Sequence, residues 1–410
     1  MPSRPRPVPR HARSQRGRSR LGRGAALTSV AVLAFVGTGG ALAYNDIQGN
    51  IDRHDITDLR GERPSAHATP PPPIDSRSGE PINLLVMGSD SREGEVNAEI
   101  GGELAETGGM RSDTTMIMHI SAQRDRIDIV SIPRDTLVPI PTCRLPDGTT
   151  TDARSEAMFN SAFTTGGQTG DLGSAAACTI RTVQELTGVY IDDFVVVDFA
   201  GFIQVIDALG GVPMCVPEPM FDERAALDLE AGDQVLDGHQ ALAFARARYD
   251  VAGGDGSDIS RIGRQQELVG AIAREALSKN LLTDMPALYR FLDAATSTLA
   301  TGTQIGQIPT LAGLAYSLRG IDAEHITFAT MPFEWAGYRV RPAADAAEMW
   351  AAMGADEPIE ATLTATGEAP TEEPTATDGT IGASPTPDAT TPPPPAGEPA
   401  PAETVTPVCG

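Results

Sequence analysis

The chain has 410 residues, with 31 Lys and Arg against 55 Asp and Glu, and a formal net charge of −24 at pH 7. A body this acidic argues against bulk nucleic-acid binding, which needs a basic face, although it leaves room for an anionic substrate wherever cations gather at one spot. Lys279 is the only lysine, which excludes a Gly-Lys-Ser/Thr phosphate loop, and there is no His-Glu-x-x-His and no Gly-x-Ser-x-Gly.

Along the chain, residues 1–23 carry eight Arg and no acid and read as a basic cytoplasmic segment. Gly24 to Tyr44 is an uncharged run of 21 residues, long enough to cross a hydrocarbon core. Arginines on its N-terminal side predict a single-pass anchor with the N-terminus in the cytoplasm and the body outside. A cleaved signal peptide ending near Ala41-Leu42-Ala43 is the competing reading. Residues 45–79 read as a polar stem with a proline run, and 80–353 as one large domain. Residues 354–410, with ten acids after Gly354 and almost no large apolar side chains, read as a disordered acidic Pro/Thr-rich tail.

Within the domain, short apolar runs bounded by turn signals predict strands at Ile82–Met87, Thr115–Ile120, Ile127–Ile132, Ile191–Phe199, Val212–Val216 and His325–Thr330. Helical spacing predicts helices at Gly173–Leu186 with Gly188 as its cap, Ala200–Leu209 ending at Gly210-Gly211, Asp237–Arg246, Asp258–Lys279, Met285–Leu299 and Ile308–Leu318. Strands mixed with helices indicate an α/β fold, a single α-β-α layered domain with a mixed central sheet. Four cysteines in an exported chain suggest disulfides, and four allow three pairings; the pairing expected is Cys143–Cys178 with Cys215–Cys409. His119 and His239 read as ordinary residues at element edges.

The polar residues that stand out sit at strand ends, where open α/β sheets build their sites. Gly88-Ser89-Asp90-Ser91-Arg92 follows the first strand, Arg111-Ser112-Asp113-Thr114 precedes the second, and Ser131-Ile132-Pro133-Arg134-Asp135 follows the third. Asp90 and Asp113 are the candidates to meet on one hard cation, which takes one or two carboxylates and leaves the rest to water and phosphate oxygens. Farther on, Arg246 and Arg248 share a face only if the backbone between them is extended. Arg261, Arg264 and Gln265 stand at i, i+3 and i+4 on one helix face. The planar fork of Arg matches phosphate oxygens, so these arginines together with Arg134 suit a pyrophosphate.

These motifs in this order resemble the LytR-CpsA-Psr family of wall-polymer ligases. The matching stretches are Asn83 to Arg92, Arg111 to Thr114, Val130 to Thr136, Met158 to Phe163, Gly210-Gly211-Val212, Gly238 to Arg248 and Asp258 to Gln266. The resemblance spans Ile82 to about Phe333. Two departures stand out: Met158 occupies a position where the family usually has a basic residue, and the link from Arg248 to Asp258 is Gly-rich.

The resemblance implies a fold that holds a polyprenyl-phosphate lipid in an apolar groove, with the Ala/Leu-rich helices after Gln266 lining it. It also implies Mg²⁺ (or Mn²⁺) at Asp90 and Asp113, and pyrophosphate contacts from Arg134, Arg246, Arg248, Arg261 and Gln265, with Arg92, Arg111 and Arg264 nearby. The implied activity is a phosphotransferase that moves a glycopolymer from a polyprenyl-pyrophosphate carrier onto a muramic-acid hydroxyl of peptidoglycan. Arg134, Asp90, Asp113 and Arg261 would carry the chemistry, with Asp90, Asp113 and Asp135 open as general base. A lipid-pyrophosphate hydrolase and a non-catalytic scaffold for lipid-linked precursors are the alternatives; the short N-terminal arm and the lack of a recognisable DNA-binding fold speak against a regulator.

Overall fold

The computed structural model describes residues 38, 40–60, 75, 78–90, 110–248, 258–279, 285–359 and 365–366. The chain enters as helix α1 (40–50), strand β1 (Asp52–His54), β2 (Ile82–Ser89), β3 (Ser112–Ile120), β4 (Ile127–Ser131) and the hairpin β5 (Leu137–Ile140) and β6 (Arg154–Met158). Helices α2 (Ser161–Gly166) and α3 (Leu172–Thr187) lead to β7 (Asp193–Val197) and α4 (Phe199–Leu209). Strands β8 (Val212–Val216), β9 (Met220–Asp222), β10 (Leu227–Leu229) and β11 (Gly232–Leu236) then form two small hairpin sheets. After them come α5 (Gly238–Arg246), α6 (Asp258–Ser278), α7 (Met285–Thr296), β12 (Leu299–Gly302), α8 (Ile308–Ser317), β13 (Ile326–Thr330), β14 (Phe333–Ala336), β15 (Arg339–Pro342) and α9 (Ala346–Gly354).

The centre is a mixed sheet of seven strands in the order β1-β12-β7-β2-β3-β4-β13. Strand β2 runs antiparallel to β3 and parallel to β7, and β4 runs antiparallel to β3. The ends of β2 and β4 and the beginning of β3 therefore lie along one edge of the sheet, which is what brings their loops together.

The two faces of this sheet differ. Leu85, Met87, Ile117, Val130 and Phe194 point to one face and are fully buried with Ile180 and Val183 of α3. This is the main core. Burying a Leu, Ile or Phe side chain contributes about 1.5–3 kcal/mol, so this face supplies most of the driving force. On the other face Val86, Met118, Val195, Val197 and Phe328 are only half-buried, while Ile82 and Leu84 pack with Ile305 and Leu314. Helix α6 passes over Phe328 at Gly270, where an added Cβ would stand 3.4 Å from the ring.

Helix ends follow local chemistry. Asp171 caps α3 by accepting from the Ser174 N–H, and Gly188 closes it at φ +71°. Asp198 caps α4, which stops at Gly210 with φ +80°, as the Gly-Gly pair predicted. Asp237 and Gln240 form a capping box at the start of α5, satisfying two backbone donors reciprocally. Lys279 donates to the carbonyl of Leu209 at the end of α4 and pairs with Glu275 at 3.0 Å, so the single lysine serves the fold.

Both predicted domain boundaries move outward. The stem expected over 45–79 is partly structured. Gln48 of α1 bonds the Gly306 carbonyl and the Ile308 N–H, Asn50 donates to Asp293, Tyr289 donates to Asp46, and β1 pairs with β12 at the sheet edge. The tail expected from 354 also begins too early. Asp356 bonds His119, Arg126 and the Ala122 N–H, Ile359 is buried, and Ala365–Thr366 pairs with β14. His119, read as an edge residue, is fully buried between Asn83 and Asp356; burial lowers its pKa against the opposing pull of Asp356. No helix among the described residues is long and apolar enough to cross a membrane; residues 24–37 of the expected anchor lie outside them.

Cys143 and Cys178 form the expected disulfide, tying the loop after β5 to α3 across 35 residues. Cys215 is disulfide-bonded as well; Cys409, its expected partner, lies outside the described residues. For a loop of this length the Cys143–Cys178 bond contributes about 3–4 kcal/mol. A Cys143→Ser, Cys178→Ser chain is therefore expected to lose roughly that much in urea unfolding, and an unchanged midpoint would show that the bond constrains nothing.

Candidate functional site

The site begins with a fault in the β2–β3 pairing. Gly88 pairs with Thr114 but Ser89 pairs with Ser112, which leaves Asp113 as an extra residue on β3. A bulge of this kind bends the strand and re-aims a side chain. Asp90 lies beside it: its N–H donates to the Arg111 carbonyl at 3.1 Å and its carboxylate accepts the Arg111 N–H at 2.8 Å. Gly88 sits where an added Cβ would meet the Thr114 Cβ at 3.3 Å, so a larger residue would press on the same turn.

At the neighbouring end of β4, Arg134 reaches across and donates to Asp113 Oδ1 at 2.6 Å. The backbone around it is held firmly. Thr136 donates twice to the Pro133 carbonyl, the Phe159 N–H donates to Thr136, and the Asn160 N–H donates to the Arg134 carbonyl. Met158 ends β6 opposite Leu137 in this hairpin, an apolar side chain beside the cationic segment.

The centre of the cluster is Asp258, the first residue of α6, whose side chain is 6% exposed. It accepts the backbone N–H of Arg134 at 3.2 Å, lies 3.4 Å from Arg134 Nε and 3.8 Å from Arg248, and is hydrogen-bonded by Arg261. Arg261, equally buried, also donates to the Asp113 carbonyl at 3.0 Å. In the sequence Asp258 stands out only as part of the motif that opens this helix. The signal that could have found it is charge: three arginines converging in a buried place require a buried acid.

Not every expected residue joins this cluster. Arg264 and Gln265 are buried and donate to the carbonyls of Ala247 and Ala245, so they brace the end of α5. Ala247 is extended, at φ −58° and ψ 141°, yet Arg246 and Arg248 take different neighbours. Arg246 stacks over Phe199 at 4.8 Å from the ring centroid, while Arg248 turns to Asp258. Arg111 is exposed beside Asp90, and Arg92 lies outside the described residues, as does the Gly-rich link before Asp258. Gln266, not singled out before, is buried and bonds Ser131, Thr330 and the Ala329 carbonyl, fixing α6 to the sheet.

Electrostatics sort the acids. Burial alone raises the pKa of Asp113, but Arg134, Arg261 and Arg248 outweigh it and hold the carboxyl below its usual range. For Asp135, burial prevails over the pull of the arginines, Asp258 adds repulsion, and the pKa rises. Burial pushes Arg261 down, with Arg248 and Arg134 adding to it and Asp258 opposing. The Nε atoms of Arg134 and Arg261 are buried and find no hydrogen-bond acceptor among the described residues.

Among the described residues there is no group of three or more His, Cys, Asp or Glu able to cage a metal. The donor set that is present, Asp113 and Asp90 at adjacent strand ends, fits a hard cation that draws its remaining ligands from water and phosphate.

A family model described as the LytR_cpsA_psr family matches residues 45–356. The probable cell wall biosynthesis protein LcpB of Corynebacterium glutamicum is 33% identical over 257 residues, covering 62% of this chain and 55% of that protein. A polyisoprenyl-teichoic acid–peptidoglycan teichoic acid transferase, TagU of Halalkalibacterium halodurans, is 30% identical over 68% of this chain and 77% of its own length. The chain spans about half the length of the first relatives it matches, 55% and 49% for the two Corynebacterium proteins. Among solved structures, Bacillus subtilis TagV (TM-score 0.50, 23% identity, 68% of this chain and 97% of that one) and a LytR-Csp2A-Psr enzyme from Actinomyces oris (0.50, 20%, 74% and 96%) share the fold.

Removing one partner of a buried charge cluster costs about 3–5 kcal/mol. Asp258→Asn is expected to destabilise the chain by about that amount in urea unfolding, and added pyrophosphate is expected to raise its Tm more than that of the parent chain. An unaltered unfolding midpoint would remove Asp258 from the centre of the site.

Proposed function

Because the chain belongs to the LytR-CpsA-Psr family, as the match over residues 45–356 establishes, we propose that it transfers a glycopolymer from a polyprenyl-pyrophosphate carrier onto a muramic-acid hydroxyl of peptidoglycan. The observation that carries this reading is a juxtaposition. The guanidinium–carboxylate cluster of Asp113, Arg134, Arg248, Asp258 and Arg261 stands at one end of a sheet face whose apolar side chains are half-buried. That face runs through Val86, Val195 and Met118 toward a cavity of about 280 Å³ whose apolar wall is Ile82, Leu84, Ile305 and Leu314 and whose polar wall includes Asp75, Asp192 and Asp193. A charged end continuous with an apolar face matches a lipid diphosphate, a ligand with those same two parts. The relatives TagU, a polyisoprenyl-teichoic acid–peptidoglycan teichoic acid transferase, and LcpB, a probable cell wall biosynthesis protein, support the same class of reaction.

Phosphoryl transfer asks a protein mainly for positioning and charge neutralisation. The acceptor oxygen bonds to the phosphorus nearest the glycopolymer, the bridging P–O bond breaks, and polyprenyl phosphate leaves with the electron pair. Arg134 and Arg248, each about a fifth exposed, would meet charge on the diphosphate from the open side, with the buried Arg261 behind them. Arg246 and Arg111 are held nearby by Phe199 and Asp90 respectively. Asp113 and Asp90 would hold Mg²⁺ (or Mn²⁺), which when bound supplies charge stabilisation on phosphate oxygens. Arg264 and Gln265 position the segment that carries Arg246 and Arg248.

The anchor over residues 24–44 would keep the body outside the membrane where carrier and wall meet. Its last residues enter α1, where Leu42 and Tyr44 are exposed, as expected at a membrane interface.

The test is transfer of a polyprenyl-pyrophosphate-linked glycan by the purified full chain, with peptidoglycan as acceptor and products separated into glycan-bearing wall and free glycan. Arg134→Ala and Arg261→Ala are each expected to raise the barrier by about 2–4 kcal/mol, roughly a 30- to 1,000-fold loss of rate. Release of the glycan to water at the same rate with and without peptidoglycan would mark a hydrolase, and full activity in either variant would reject the assigned roles.

A further inference from the structure

Four carboxylates stand at or beside the cluster, and three of them are committed. Asp258 is buried and bonded to two arginines. Asp113 is held by Arg134 at 2.6 Å, and Asp90 accepts the Arg111 N–H at 2.8 Å. Asp135, 29% exposed and so about as open as Asp113 at 31%, differs in its bonding: its nearest charged neighbour is Arg134 Nε at 3.7 Å, beyond hydrogen-bond length, and among the described residues no donor bonds its carboxylate. Its backbone is nonetheless fixed on both sides by the bonds of Arg134 and Thr136 to Asn160, Phe159 and Pro133. A carboxylate that is open to solvent, unbonded and held on a rigid segment beside the cationic cluster is placed to receive a proton rather than to neutralise a guanidinium.

We propose that Asp135 is the general base that takes the proton of the acceptor hydroxyl; this rests on the transfer reading above and names the group that reading leaves open. The hydroxyl proton moves to an Asp135 carboxylate oxygen as the O–P bond forms, the bridging P–O bond breaks toward polyprenyl phosphate, and Asp135 returns the proton to solvent after the product leaves. The groups that face Asp135 are Arg134 and, through space, Arg248, Arg261 and Asp258. Burial and Asp258 raise its affinity for a proton above that of an ordinary Asp, against the arginines, and a base is more effective as its pKa approaches the working pH. Asp113, held below the usual range by three arginines, is the poorer base.

The experiment uses the full chain in detergent, with a short polyprenyl-pyrophosphate-linked N-acetylglucosamine as donor and a soluble peptidoglycan fragment as acceptor. Asp135→Asn is expected to lower kcat for transfer by about 100- to 10,000-fold. The donor KM should stay unchanged or fall, because a negative charge near the diphosphate has been removed. In the parent chain the rate rises with pH through the Asp135 pKa and then levels; this limb is expected to vanish in Asp135→Asn and to return, at lower rate, in Asp135→Glu. A rate for Asp135→Asn within about threefold of the parent, or an acidic limb that persists, overturns the assignment, since a base contributes far more than that. Loss of donor binding together with rate would make Asp135 structural and overturns it too. Failure of the parent chain to join glycan to the acceptor overturns the transfer reading itself, and with it the need for a base at this position.

Discussion

The site depends on one buried negative charge. Arg134, Arg248 and Arg261 come from three separate segments, the turn after β4, the end of α5 and the first turn of α6, and they approach one another within a partly desolvated space. Guanidinium groups cannot be deprotonated at any ordinary pH, so their mutual repulsion has to be met by a counter-charge. Asp258 meets it, at the start of the same helix that carries Arg261 one turn later. An acid also suits the first turn of a helix, where it faces the positive end of the backbone dipole. The placement of α6 over the sheet, fixed further by Gln266 on Ser131 and Thr330, is therefore coupled to the assembly of the cationic site.

The sheet shows why a polar site and an apolar face coexist. One face is closed by α3 and α9 and buried throughout; the other is only partly roofed by α6 and α8. A mixed sheet with one half-open face would be expected to aggregate or bind something, because contiguous exposed apolar surface is rarely left without a use. Its register brings the ends of β2 and β4 to the same edge, and the extra residue at Asp113 turns a carboxylate out of the ladder there. Strand pairing thus places Asp90, Asp113 and Arg134 at the end of the half-open face, and α6 completes the site there with Asp258 and Arg261.

Much of this was legible in the sequence, and the failures have physical causes. Strands β2, β3 and β4 announced themselves as apolar runs closed by Gly, Ser, Asp and Pro, and the Gly-terminated helices α3 and α4 ended where their glycines stand. Asp113 and Arg134 are legible because they flank those runs, and Arg261 because it opens a helix face shared with Arg264 and Gln265. Asp258 was passed over because an Asp opening a helix is so common that its second use leaves no local mark. Arg264 and Gln265 were grouped with Arg261 by helical spacing, which gives the face but not what that face meets; here it meets the carbonyls of Ala245 and Ala247. The edge strand β1 and its neighbour β12 are three and four residues long, too short for any period to register. The boundary near 354 failed because composition cannot reveal that one acid, Asp356, reaches back to His119 and Arg126.

The same long-range bonds bear on how an external domain of this kind would meet its carrier. If residues 24–44 span the membrane, the chain leaves the bilayer already helical, because α1 begins at 40, inside that run. It then has little freedom. Gln48 is clamped to the turn before α8, Asn50 and Asp46 are bonded to α7, and β1 is zipped to β12. A flexible stem would let the body tumble and make each encounter with a lipid headgroup a matter of local concentration. Residues 46–50, bonded to α7 and to the turn before α8, would instead fix the angle between an anchored N-terminus and the body.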